Sequence, residues 1–317
     1  MAGVRAGSSL AVGVTGASGF IGGALCRFLA ARGDSVRRFV RGRPAGAGEI
    51  AWDPARGVLE PAALEGLDAV VHLSGASLAD GRWSAARKRE LVASRVESTA
   101  TLARAIAACA RPPRVLVCGS AVGWYGDRGD ETLDESSAPG RGFLAEMAQA
   151  WEAAAAPARD AGVRVVHPRC GLVLARGGGV LGALERPFAL GLGGPLGNGR
   201  AWWGWIALED LLQALVLAME ETSLRGPFNA VTPAPARQAA FARALGRALR
   251  RPALLPAPAW ALRLVLGGEF VDGMLLASQR AQPAVLLAAG FRFAAPELEP
   301  CLERMFARGT WSRPDRI

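Results

Sequence analysis

Residues 10–22 read LAVGVTGASGFIG, and no other stretch constrains the chain as much. An apolar run, Leu10–Val14, leads straight into Thr15-Gly16-Ala17-Ser18-Gly19-Phe20-Ile21-Gly22, and a helix-forming run, Ala24–Ala31, follows. Strand, glycine-rich turn and helix, in that order, are how a Rossmann unit sets a dinucleotide pyrophosphate on a helix N-terminus. Gly16 is expected to let the chain turn sharply. Gly19 would let the backbone approach the phosphates, and Gly22 would let the helix pack close to the sheet. Ser18, Phe20 and Ile21 complete the candidate cofactor turn.

The next strand, Ser35–Val40, decides which dinucleotide fits. An NAD site usually carries an acidic residue at its tip, about 20 residues past the glycines, for the ribose 2′-hydroxyl. Here the tip reads Val40-Arg41-Gly42-Arg43-Pro44, and Asp34 stands at the wrong end of the strand. Two guanidiniums, Arg41 and Arg43, suit a 2′-phosphate, so NADP(H) is the expected cofactor. Trp52 and Asp53 close a short third strand and are placed near the adenine.

Strand and helix then alternate. Asp68–Leu73 is a continuous apolar strand of the parallel type. Leu73-Ser74-Gly75-Ala76 would let the ribose or phosphates approach the backbone, while His72 reads as a packed core histidine. Ser84–Ala110 is a long helix on which the segment Ser94–Thr99, with the charge of Arg95, would run beneath the cofactor. Arg114–Cys118 is a strand with Gly119-Ser120-Ala121-Val122-Gly123-Trp124-Tyr125-Gly126 at its carboxyl end, the edge where open parallel sheets bind ligands. Phe143–Ala161 reads as one helix, and Val163–Pro168 as a buried strand leading to Arg169. The fold class is therefore α/β: a doubly wound parallel sheet over residues 1–175, with strand and helix returns from about 200–232. Residues 176–317 form a smaller, mainly helical substrate region. There Arg200, Trp202, Trp203 and Trp205 follow a glycine-rich loop and are candidate substrate contacts; the tryptophans read equally as core.

Composition removes other classes. The net charge is +9, yet the arginines are scattered and the only lysine is Lys88, so no clustered stripe for nucleic acid is visible. Cys26, Cys109, Cys118, Cys170 and Cys301 make no C-x-x-C and read as reduced core residues of a cytoplasmic protein. Two histidines argue against a metal site, and none is expected. There is no uninterrupted apolar run of the roughly 18 residues a spanning helix needs. The expected partner is a small-molecule substrate, without nucleic acid or membrane, and a homodimer is left open.

With these residues in hand, the chain resembles the extended-type short-chain dehydrogenase/reductases. More narrowly it is similar to an atypical branch labelled nucleoside-diphosphate-sugar epimerase or cell-division-inhibitor-like, which has its own C-terminal domain. The matching stretches are Thr15–Gly22, Trp52–Pro54, Ser94–Thr99, Ser120–Glu131, Trp151–Ala155, Arg169–Leu174, Gly191–Arg200 and the W-x-W-I run ending at Ile206. The resemblance covers nearly the whole chain. It implies an NADP(H)-binding Rossmann domain and leaves the substrate undefined.

The chain departs from the superfamily where acid/base chemistry is done. Its members use a Tyr-x-x-x-Lys pair with a Ser, the ammonium lowering the phenol pKa. Tyr125 is the one tyrosine here and Lys88 the one lysine, in the wrong order for that pair. The matching place reads Phe143-Leu144-Ala145-Glu146-Met147, Arg95 stands where an Asn is usual, and Ala207 stands where a His is usual. Ser120 and Tyr125 are the remaining catalytic candidates. Two readings follow: an oxidoreductase or epimerase acting on a carbonyl or sugar-nucleotide-like molecule, or a non-catalytic NADP(H)-binding redox sensor or interaction protein.

Overall fold

The computed structural model describes residues 9–307. Seven strands form its main sheet: β1 (Ala11–Thr15), β2 (Ser35–Val40), β3 (Glu49–Ala51), β4 (Ala69–His72), β5 (Val115–Cys118), β6 (Arg164–Cys170) and β7 (Gly226–Ala230). All pairings are parallel, in the order β7-β6-β5-β4-β1-β2-β3, and a two-residue strand, Ser120–Ala121, pairs beside β6. The strand order reverses between β1 and β4, where Val14 pairs with Val71 and Thr15 with His72. A crevice opens at such a switch point, beyond the carboxyl ends of the strands.

The sheet is apolar on both faces because helices cover both, as the continuous apolar strand runs require. Val71, Val115 and Val117 point into one core, with Leu25 and Leu29 of helix α1 (Phe20–Arg32). Their immediate neighbours Val70 and Leu116 point into the other, with Leu102 and Ile106 of α2 (Ala85–Ala107). α1 ends on Gly33 at φ 88°, the left-handed cap a glycine adopts without strain. Asp34, next in the chain, accepts from the Leu10 amide and pairs with Arg32, so it braces the start of β1 and stands far from the crevice.

The helix expected over 143–161 is two helices, α3 (Phe143–Ala153) and α4 (Ala156–Asp160). Pro157 explains the break: it has no amide hydrogen to continue a helix and fits only in a first turn. Beyond residue 176 come α5 (Gly179–Ala189), α6 (Leu208–Glu220), α7 (Gln238–Leu249) and α8 (Ala259–Leu266). α6 returns to the sheet, placing Leu211 and Leu215 in the first core. A third core gathers Leu181, Phe188, Trp203, Trp205, Phe241 and Leu302. The architecture is thus a Rossmann-type doubly wound sheet with a mainly helical C-terminal region. Among the described residues no helix is long and apolar enough to cross a membrane, and no cluster of His, Cys, Asp and Glu could hold a metal ion.

Candidate cofactor and active site

A cleft of about 870 Å³ lies at the switch point. The β1 turn (Gly16, Ala17, Ser18, Gly19), the end of β2 (Arg38 to Arg41) and the stretch after β4 (Leu73 to Ser77) form its walls. Trp52 to Ala55 close one end, and a polar face of α2 lines one side. At its centre is the N-terminus of α1, with no side-chain cap and no acidic residue in its first turn. The partial positive charge of the helix is therefore available to an anion.

The glycines divide their work differently from the expectation. Gly16 has φ 65°, and a Cβ there would lie 2.7 Å from the Leu73 carbonyl oxygen. A Cβ on Gly22 would lie 2.2 Å from the Gly16 carbonyl oxygen, so Gly22 makes room for the turn itself and not for helix–sheet packing. At Gly19 a Cβ would meet only the Gly16 oxygen, at 3.2 Å. The protein's own packing scarcely demands glycine there, and the residue faces the cleft, as a close-approaching ligand would need. Phe20 and Ile21 lie outside the cleft lining: Phe20 packs against Gly178 and Gly179, and Ile21 packs on the first core.

A hydrogen-bond chain fixes the cleft floor. Thr15 Oγ1 accepts from the Leu73 and Ser74 amides, so its own proton goes to His72 Nδ1, 2.7 Å away. The single ring proton of His72 is therefore on Nε2, which donates to Ser98 Oγ at 3.2 Å; Ser98 in turn donates to the Ser94 carbonyl. His72 is fully buried, and desolvation lowers its pKa to about 3. It is a neutral core histidine, as expected.

At the β2 end, Arg41 lines the cleft, whereas the exposed Arg43 does not. Arg38 lines it too, paired with Glu49 at 2.9 Å. Arg95 lies one layer below. Its guanidinium donates to the Leu91 and Ala76 carbonyls, and a Cβ on Gly75 would sit 3.1 Å from its Cζ. It braces the Ser74–Ala76 wall from behind and does not line the cleft. Burial lowers its pKa to about 10, which leaves it charged at neutral pH.

The candidate catalytic residues fall into a buried network. Ser120 Oγ donates to Glu152 Oε1 at 2.6 Å, and Arg169 bonds both oxygens of Glu152. Arg169 also donates to the Tyr125 hydroxyl at 3.2 Å, and that hydroxyl donates to Asn229 Oδ1 at 2.7 Å. Tyr125 is 0% exposed, and burial pushes its pKa up. With its proton engaged and no open side, its geometry is that of a packed, hydrogen-bonded phenol and not of an acid/base group at a substrate. Arg169 stacks on Trp124 at 3.8 Å and lies outside the cleft lining, as does Gly119, packed against Trp151. Trp203 and Trp205 are core, their indole N–H groups donating to the Leu275 and Ala234 carbonyls. Trp202 is half-buried between Arg237 and Arg280, and Arg200 is an exposed loop residue.

The family model described as NAD dependent epimerase/dehydratase matches residues 12–230, and a domain of unknown function matches 257–305. The chain belongs to the NAD dependent epimerase/dehydratase family. An epimerase family protein of Mycobacterium leprae is 44% identical over 89% of this chain and 91% of its own. The human epimerase family protein SDR39U1 is 38% identical over 93% of this chain and 99% of its own. A crystal structure of human SDR39U1 with NADPH superposes with a TM-score of 0.86 at 36% identity, covering 94% of this chain and all of that one. A Thermus thermophilus UDP-glucose 4-epimerase with NAD shares the fold, at TM-score 0.72 and 21% identity. Against the superfamily pattern, this family member offers one phenol, Tyr125, and one ammonium, Lys88, which pairs instead with Glu269.

Several cleft residues escaped the sequence reading. Arg87, Glu90, Ser94, Glu97 and Ser98 line the cleft from one side of α2. Their spacing of three and four is a helical stripe; Ser94, Glu97 and Ser98 fall in the segment expected beneath the cofactor, whereas Arg87 and Glu90 were legible only as polar. Arg38 lies in β2 three residues before Arg41, and only the strand's placement shows that it reaches the cleft. Glu152 lay inside the matching stretch Trp151–Ala155 with no role assigned, and its contacts with Ser120 and Arg169 give it one.

Proposed function

We propose that this chain is an NADP(H)-dependent oxidoreductase or epimerase acting on a small carbonyl or sugar-nucleotide-like molecule, with residues 1–175 holding the cofactor and 176–317 shaping the substrate side. The observation that carries the reading is the uncapped α1 N-terminus facing a cleft whose β2 end presents Arg38 and Arg41. The glycine turn and the Ser74–Ala76 wall fit a pyrophosphate and ribose, which need backbone approach. The guanidiniums fit a 2′-phosphate, which charge-assisted bonds would hold. The NADPH in the SDR39U1 crystal structure supports the same assignment.

When bound, the cofactor supplies a hydride acceptor or donor at C4 of its nicotinamide. The protein's part is to bind, orient and exclude water. Ser120, at the carboxyl end of β5, is held by Glu152, and its hydroxyl hydrogen already points to that carboxylate. Ser120 is 4% exposed and lies outside the cleft lining, so any role at a substrate requires that the substrate reach past the cleft wall.

The second reading, a redox sensor without turnover, draws on the same observation: the Ser120 and Tyr125 protons both go to internal partners. Purified protein with NADPH and a panel of aldehydes, ketones and sugar nucleotides separates the two. NADPH oxidation above the substrate-free rate, or an epimerised sugar nucleotide recovered with NADP+ present and no net cofactor turnover, supports the enzyme, and binding with neither across the panel supports the sensor. Cofactor choice is tested by titrating NADPH and NADH against wild type and the Arg38→Ala, Arg41→Ala and Arg43→Ala variants, following nicotinamide fluorescence. NADPH affinity is expected to fall about tenfold in the first two, as loss of a charge-assisted bond implies, and to hold in the third. Equal binding of NADPH and NADH by wild type would remove the 2′-phosphate assignment.

A further inference from the structure

Helix α8 is unusual among the described helices of eight residues or more: none of its residues is buried. Trp260 and Leu264, one turn apart on the same stripe, are 70% and 71% exposed. The stretch that leads into the helix exposes Leu254 and Leu255, the former to 80%. That stretch runs along the loop after α5, where Leu190 and Leu192 are also exposed. Hydrogen bonds tie the two: Leu255 N–H donates to the Gly193 carbonyl, Gly197 N–H to the Ala257 carbonyl and Arg251 Nε to the Ala189 carbonyl. These leucines and the tryptophan therefore belong to one braced surface, larger than the isolated apolar residues every protein shows.

The charge around this surface is mainly basic, because the carboxylates packed nearest α8, Glu269 and Asp272, are paired with Lys88 and Arg263. No Asp or Glu occurs between Glu185 and Glu209, or between Glu221 and Glu269, the two segments that build it. Arg186, Arg250 and Arg251 are exposed there and form no ion pair with an acidic side chain among the described residues. An aliphatic face with an exposed tryptophan, edged by unneutralised arginines, matches the composition of surfaces that rest in the headgroup layer of an anionic bilayer. A second copy would bring the same uncompensated arginines to the edge of the contact, which disfavours self-association. The face also adjoins the cleft. Arg82, in the loop that continues from the cleft residues Ser77 and Asp80, donates to the Leu264 and Val265 carbonyls, and Leu262 packs into the cluster of Trp83, Met147 and Phe270.

We propose that the surface formed by Leu190, Leu192, Leu254, Leu255, Trp260 and Leu264 docks peripherally on a lipid bilayer bearing anionic headgroups. The apolar side chains enter the interface, the arginines meet lipid phosphates, and the cleft mouth faces the membrane side. No spanning segment is needed for this, and the proposal stands independently of the cofactor assignment.

The test is co-sedimentation of the full chain with vesicles of phosphatidylcholine alone and with phosphatidylglycerol added, at low and high salt. Wild type is expected to pellet with the anionic vesicles and to be released by salt. Trp260→Ser with Leu264→Ser should weaken that partitioning about tenfold or more. Arg186→Gln with Arg250→Gln, a second route to the same surface, should weaken it while leaving melting temperature and NADPH titration unchanged. Three results would overturn the proposal. Wild type could stay in the supernatant with anionic vesicles. Both variants could pellet as wild type does. Or, without lipid, the chain could form a concentration-dependent dimer that the Trp260/Leu264 variant abolishes, which would assign the face to a second copy.

Discussion

Gly22 shows how strictly one residue can be set by its neighbours. Its missing Cβ would stand 2.2 Å from the Gly16 oxygen, a backbone atom that cannot rotate away. Gly22→Ala is therefore expected to spread the β1–α1 turn, costing roughly 1–3 kcal/mol by overpacking and weakening NADPH binding more than thermal stability. Calorimetry of both quantities checks this, with Gly23→Ala as the tolerant neighbour, since a Cβ there comes no closer than 3.2 Å to a backbone oxygen. Glu152 shows the opposite dependence, on a partner. Arg169 is 3% exposed, and Glu152 is the carboxylate that neutralises it. Removing one member of a buried pair leaves an uncompensated charge, so Glu152→Ala should lower stability by about 3–5 kcal/mol. Replacing both, Glu152→Leu with Arg169→Met, should recover most of it; urea midpoints decide. His72 sets a pH dependence. Its folded pKa, about 3, lies below the ordinary 6.5. Its neutral burial therefore stabilises fully above pH 6.5, and that contribution is lost as pH falls from 6.5 towards 3, because the unfolded chain takes a proton the folded chain refuses. Urea midpoints should begin to decline just below pH 6.5, ahead of the carboxylate range at about pH 4, and His72→Gln should flatten that early decline without abolishing it, because burial lowers the His167 pKa in the same sense.

Elements were more legible than contacts. The parallel core strands announced themselves as apolar runs because both faces are covered, and β4 and β5 sit where those runs are. The break between α3 and α4 was missed because the alanine-rich sequence favours helix throughout, and one proline overrides it. At the β2 end the type of residue was readable, and its direction was not: of the two arginines singled out, Arg41 lines the cleft and Arg43 does not, while Arg38 does. Candidate catalytic residues were the least legible. Ser120 and Tyr125 share a rim in sequence, but what they can do depends on Glu152, Arg169 and Asn229, which lie 17 to 104 positions from the groups they bond. The tryptophan run divides in the same way: the strand pairings carry Trp203 and Trp205 into the core and leave Trp202 at the surface between two arginines.

For the whole molecule, the sheet order puts the switch point between β1 and β4, and everything proposed for the cofactor follows from that crevice. The helical C-terminal region contributes a separate core and a helix tethered by Arg82 to the loop that continues from the cleft. The central claim is therefore one of location: NADPH occupies this cleft. Hydrogen–deuterium exchange with and without saturating NADPH tests it most directly. Protection is expected in the turn at residues 16–23, in Leu73 to Ala76 and along the α2 face from Arg87 to Ser98, with α7 and α8 unchanged. Protection confined to the C-terminal helices, or none at all while NADPH is in excess, would contradict the account.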